Sequence, residues 1–243
     1  MTSRDGHRLY GEILRLDELL DMQERVAEVH DALFFITIHQ IYELWFKVLL
    51  HELEGARAAA FARDVPQARY CLRRVQAIER VMVEQVDTLD TISPRSFLDI
   101  RDRLRASSGL QSAQFREIEF ISGLKDPEWM EKAEVTASER ERLLRRLEEP
   151  TLWDAFVALM ESRGQPDLAD LMRRRVESDL LDLAEAMLDH DEWFALWRSR
   201  HVLMVERMIG DKTGTGGTSG TGYLKSTLEK RFFKPLWDLR SAL

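Results

Sequence analysis

Six imidazoles, at His7, His30, His39, His51, His190 and His201, are the side chains of this sequence best suited to metal or acid–base chemistry. Only His39 and His201 fall in long apolar stretches at positions that face away from water. His39 lies in LFFITIHQIYELWFKVLLHEL, Leu33 to Leu53, with Phe35 four residues before it and Glu43 four after, so the three share one helix face. An apolar wall with one titratable group in its middle suits a buried reaction chamber, and it suits a core histidine bonded to a neighbour equally well. His201 lies in EWFALWRSRHVLMVERMI, Glu192 to Ile209, one turn after Trp197. Two such imidazoles on different helices could hold one metal or flank a cofactor.

Spacing narrows the options. A carboxylate-bridged di-iron site needs Glu three residues before a His, and no histidine here has one. The His-Glu-x-x-His pair of a zinc protease is also absent. Haem asks less: one axial imidazole and an apolar slot between helices, since the porphyrin brings the other ligands. A cationic candidate is Arg101, which shares a helix face with Phe97 and Leu104. A guanidinium between two inward apolar residues needs an acidic partner or an anionic ligand. The stretch Thr213 to Gly222, TGTGGTSGTG, lacks the pattern of a nucleotide loop. Its backbone N–H groups and the hydroxyls of Thr215, Thr218 and Ser219 could still cradle a small polar ligand. A flexible connector is the alternative, yet a ten-residue Gly/Thr loop in a compact domain is more often functional.

The elements that must position these groups all read as helices. The stretch around His39 has no Gly or Pro and is too long for a strand; Asp31 is a plausible start for it, and Glu52 and Glu54 stand near its end. Pro66 opens a helix running to about Leu89, on which Cys71 recurs with the apolar positions and reads as a packed hydrophobe. Ser93-Pro94 starts the Arg101 helix, and another ends at Gly123. Between Asp126 and Asp189 the sequence predicts packing helices starting near Ser138, Thr151 and Gly164. Gly210 ends the His201 helix, and a closing helix is interrupted at Pro235. No strand, internal repeat or flexible interdomain linker is evident.

Bulk composition limits the partners. The chain has 243 residues, 44% hydrophobic, enough for a sizeable core. A net charge of -8 and a pI near 5.4 leave no field to attract nucleic acid or an anionic membrane. The apolar His39 stretch carries Glu43 and Lys47, so no membrane span is expected. A lone cysteine and the absence of an apolar leader lead us to expect a soluble cytoplasmic protein.

Four segments, FFITIHQIYELWFKVLLHELE, SGLQSAQFREIE, RHVLMVERMIG and GTGGTSGTGYLKST, closely resemble in order the diagnostic segments of the tryptophan 2,3-dioxygenase family. That resemblance implies an all-α, single helical domain over residues 1–243, with a haem b pocket between long core helices. It implies a homotetramer that inserts O2 into the indole ring of L-tryptophan to give N-formylkynurenine. Matched position by position, it makes His201 the axial ligand, with Trp197 beside it and Ser108 on the haem side. His39 becomes the catalytic residue facing the indole N–H, and Phe35 and Phe97 line the substrate pocket. Arg101 would clamp the substrate carboxylate and Thr215, in the 211–222 loop, the amino-acid end. Tyr10 and Leu14, in an N-terminal segment spanning residues 1–15, match a part that reaches a neighbouring subunit's pocket in the family. Two departures stand out. Ile13 replaces a tyrosine of many members, which suggests monooxygenation of a substituted tryptophan, such as β-methyltryptophan, as the alternative; and the chain is short for the family between Asp126 and Asp189.

Overall fold

The computed structural model describes residues 8–23, 28–104, 109–132, 134–165, 167–174, 178–210, 212 and 220–242. Among these residues the regular structure is helical throughout, with no strand, as the periodicity predicts. Two short helices, α1 (Tyr10–Leu14) and α2 (Leu16–Leu19), precede the long α3 (His30–Phe61) and α4 (Val65–Leu89). Then come α5 (Pro94–Leu104), α6 (Ala113–Ser122), α7 (Pro127–Lys132), α8 (Ala137–Glu148), α9 (Leu152–Ser162) and α10 (Leu168–Arg174). The chain closes with α11 (Asp179–Ile209), α12 (Thr221–Ser226) and α13 (Lys234–Leu239).

Local chemistry sets most boundaries. The Asp64 carboxylate accepts the Gln67 N–H at 3.0 Å and Pro66 occupies the first turn of α4, where a missing N–H costs nothing. Thr151 and Asp154 cap the start of α9 reciprocally, and Thr136 and Glu139 do the same for α8, which therefore starts just before Ser138. Three expected boundaries are corrected. The His39 helix runs on past Glu54 to Phe61, because Gly55 does not break it: Cys71 on α4 packs so closely there that a Cβ at residue 55 would lie 3.1 Å from its sulfur. The His201 helix starts at Asp179, and Pro235 opens α13 instead of interrupting a helix.

Helices α3, α4 and α11 form the frame, with α4 packed against both of the others and α6 and α9 closing over α3. The core between them includes Phe46, Leu49, Leu53, Leu72, Met82, Met187 and Phe194, all almost wholly buried. By length and composition α3 could cross a membrane, yet its Tyr42, Phe46 and Leu49 face this core. The middle of the chain is tied down by charge. Arg146 of α8 is buried among Glu54, Glu117 and Glu149, and Lys125 donates to the Leu147 and Glu149 carbonyls at 2.6 Å.

Candidate active site

A cavity of about 460 Å³ opens between α3, α5, α6, α11 and α12, within the size range of small-molecule and cofactor sites. On α3 the residues Phe35, His39, Tyr42, Glu43 and Phe46 face it, the i, i+3, i+4 stripe of a single helix side. From α11 come Trp197, Arg198 and His201, and α5 contributes Phe97, Arg101 and Leu104. The two imidazoles and the guanidinium singled out by sequence thus meet in one chamber, although 162 residues of chain separate His39 from His201.

The two histidines differ in their fixing. His39 is exposed, but the surface it exposes belongs to the cavity. Its Nδ1 lies 2.7 Å from the Phe35 carbonyl oxygen, one turn back. A carbonyl only accepts, so Nδ1 carries the proton and Nε2 keeps its lone pair. The Phe35 ring lies 4.1 Å from the imidazole, centroid to centroid, and Phe97 6.1 Å beyond Phe35. Burial lowers the His39 pKa below its ordinary value; the Phe35 carbonyl and the Glu43 charge oppose that without reversing it. Glu43 is itself held by Gln114, whose amide donates to its carboxylate at 2.8 Å and its carbonyl at 2.9 Å.

His201 stacks almost flat on Trp197, with 5.2 Å between centroids and 9° between planes. Trp197 is in turn packed by Tyr42, Phe46, Phe115 and Phe194, so the imidazole plane is set by an aromatic scaffold. Neither ring nitrogen of His201 makes a hydrogen bond with a described residue. Burial first, and His39 second, push its pKa down to about 4, so it is a neutral donor with a lone pair to give. The Tyr42 hydroxyl donates to the Met82 carbonyl at 2.9 Å, and burial raises its pKa to about 12. The Trp197 indole N–H finds no hydrogen-bond partner among the described residues.

Sequence reasoning missed the charged side of the cavity. Arg116 and Arg198 both ion-pair with Glu119, and all three are buried and line the chamber. The buried Asp191 carboxylate adds a second negative charge near Arg198, and the Nε atoms of both arginines are without partners among the described residues. Arg116 and Glu119 stand three apart in SGLQSAQFREIE, a spacing that places them on one helix side; Arg198 follows Trp197 directly. His190 was missed too, because the expectation confined inward histidines to positions 39 and 201. It is wholly buried on α11, with Nδ1 2.7 Å from Glu79 and Nε2 2.9 Å from the Ser122 hydroxyl. That trio has the order of a nucleophilic triad, but all three side chains are sealed in the core and none lines the cavity.

Two expected residues are not described, and two lie elsewhere. Ser108 and Thr215 fall outside the described residues. Tyr10 and Leu14, on α1, are exposed and away from this cavity.

Haem fits what is present. An imidazole with no hydrogen-bonded partner among the described residues, held neutral, faces a chamber with walls built from Phe46, Phe115, Val202 and Met208, while Arg116 and Arg198 line one side of it.

Comparison with known proteins agrees with the geometry. The family model described as tryptophan 2,3-dioxygenase matches residues 2–170 and 171–243. Proteins named tryptophan 2,3-dioxygenase are 48% identical in a Nocardioides species, 41% in Herpetosiphon aurantiacus and 40% in Caulobacter vibrioides. Each alignment covers 96% of this chain and 94% to 98% of the relative, and runs over 251 to 257 residues against the 243 of this chain, so the relatives carry residues that it lacks. The chain belongs to the tryptophan 2,3-dioxygenase family.

Proposed function

We propose that this protein is a haem-dependent dioxygenase that inserts both atoms of O2 into the indole ring of L-tryptophan, giving N-formylkynurenine. The observation that carries the reading is the meeting of two neutral imidazoles, from α3 and α11, in a single largely apolar chamber beside Arg101. Family membership supports it.

His201 would hold the iron through a ring nitrogen, its plane kept by Trp197. Arg116 and Arg198 would face the acidic groups of the macrocycle. When bound, the haem supplies the binding and activation of dioxygen, which no amino-acid side chain provides. The chain's own part is orientation and exclusion of water. His39 keeps its proton on Nδ1 against the Phe35 carbonyl, so its bare Nε2 accepts the indole N–H. Arg101 takes the substrate carboxylate in a two-pronged contact. Thr215 is assigned to the amino-acid end and Ser108 to the haem side by the resemblance alone. Phe35 and Phe97 keep water from the ring. Positioning of this kind accounts for much of what a protein adds to cofactor chemistry.

Monooxygenation of a substituted tryptophan is not favoured. The relatives carry the name dioxygenase. The homotetramer remains the assembly we assign. Leu9, Tyr10, Ile13 and Leu14, on or just before α1, expose apolar surface that the other described residues leave uncovered, as a segment serving a neighbour would. Buried, unpaired Cys71 suits a reducing cytoplasm.

Purified protein loaded with haem should show a Soret band that shifts on adding tryptophan, then consume oxygen. Mass spectrometry should find a product heavier by two oxygens. A product with one added oxygen, or a spectral shift without oxygen uptake, would overturn the assignment.

A further inference from the structure

Outside the cavity, a cluster of polar contacts in the core gathers at Asp191, nearly two turns before the cavity-facing part of α11. Its side chain is wholly buried. One carboxylate oxygen, Oδ2, accepts three N–H groups: the backbone of Phe232 at 2.8 Å, the backbone of Phe233 at 3.0 Å and the indole of Trp237 at 2.9 Å. The other oxygen has no partner among the described residues. A buried carboxylate left half satisfied is costly, whereas an apolar side chain there would pack without that penalty. Two turns further on, Arg198 donates to the Lys230 carbonyl at 3.2 Å. Both residues of α11 therefore grip the same non-helical stretch between α12 and α13.

That stretch follows directly on the wall of the cavity. Helix α12 has six residues, too few to hold a place by itself. Yet it sets Tyr223 and Leu224 on the wall, with Thr227 next after it, and the Tyr223 hydroxyl accepts from Arg116 at 3.0 Å. We propose that Asp191 is a positioning residue for substrate binding: its three-donor grip fixes residues 230–237, and through them the α12 wall that closes over tryptophan. The inference rests on the function proposed above. It makes Asp191 a determinant of substrate affinity without contact to substrate or cofactor.

Asp191→Asn keeps the shape and removes the charge that makes one oxygen attractive to three donors. Trp237→Phe removes one donor and leaves the carboxylate, which guards against a misfolded first variant. Oxygen uptake by the wild type with tryptophan is measured first, so failure of the functional reading is known before any variant is judged. The haem-loaded variants should keep the wild-type Soret spectrum. The KM for tryptophan should rise about tenfold in Asp191→Asn, and by a smaller factor in Trp237→Phe, with kcat little changed, since losing charge-assisted hydrogen bonds is worth at least that factor. Amide hydrogen exchange should quicken in peptides covering 220–239 and stay unchanged in those covering α3. Faster exchange spread evenly over the chain would mark Asp191 as a general stability residue and overturn the proposal. So would local loosening of 220–239 with an unaltered KM.

Discussion

His201 and Arg101 carry the sharpest predictions at the scale of single residues. His201→Ala removes the only imidazole stacked on Trp197 and should yield folded protein without a Soret band. Arg101→Ala should keep the haem spectrum and raise the KM for tryptophan on the order of a hundredfold, because a charged two-pronged contact is lost while the haem side is untouched. Protonation gives a third test. Both cavity imidazoles have lowered pKa values in the fold, whereas in the unfolded chain they titrate near the ordinary 6.5. Acid therefore loads protons onto the unfolded state first, and cofactor-free protein should lose stability as pH falls from about 6.5 towards about 4. His201 alone accounts for on the order of 2–3 kcal/mol of that loss. Melting curves of cofactor-free wild type and His201→Ala across this range should converge at low pH. Parallel curves would show that the imidazole is not kept neutral by the fold. At this scale the sequence was informative where residue type and helical phase coincide, as for Phe35, His39, Phe97, Arg101, Trp197 and His201. It was silent on Arg116, Glu119 and Arg198, because a charge on an amphipathic helix looks the same whether it meets solvent or a buried counter-ion from another helix.

Elements were legible where caps and breakers mark them. Asp64-Val65-Pro66, Thr151 with Asp154, and Gly210 each signalled a boundary that the fold keeps. The extent of α3 and α11 was less readable: α3 runs past Glu54 through Gly55, where Cys71 of α4 packs closely. The burial of His190 was likewise hidden, as its partners Glu79 and Ser122 lie 111 and 68 residues away. Gly123 gives a test at this scale. It ends α6 at φ 126°, a conformation that L residues seldom adopt, and an added Cβ would lie 3.2 Å from the Phe232 carbonyl oxygen. Gly123→Ala should cost about 1–3 kcal/mol, read as a lower melting temperature with the haem spectrum retained.

For the whole molecule the open quantity is assembly. Light scattering should give the mass of four 28.4 kDa chains, and removing residues 1–15 should weaken either that assembly or tryptophan binding. A monomer fully active without the segment would refute the subunit-reaching role of α1. All-α architecture was evident from periodicity alone; which helix faces meet was not, because that depends on pairings spanning most of the chain.

The separation of the cavity's walls along the chain also bears on how the protein matures. Translation delivers α3 first, the imidazole opposite it only 162 residues after His39, and the Tyr223 wall after that. Until then a nascent polypeptide presents half a nest. On the function proposed above, prosthetic-group capture must follow synthesis of α12, so starving cells of the porphyrin should let intact apoprotein accumulate, ready to be filled later.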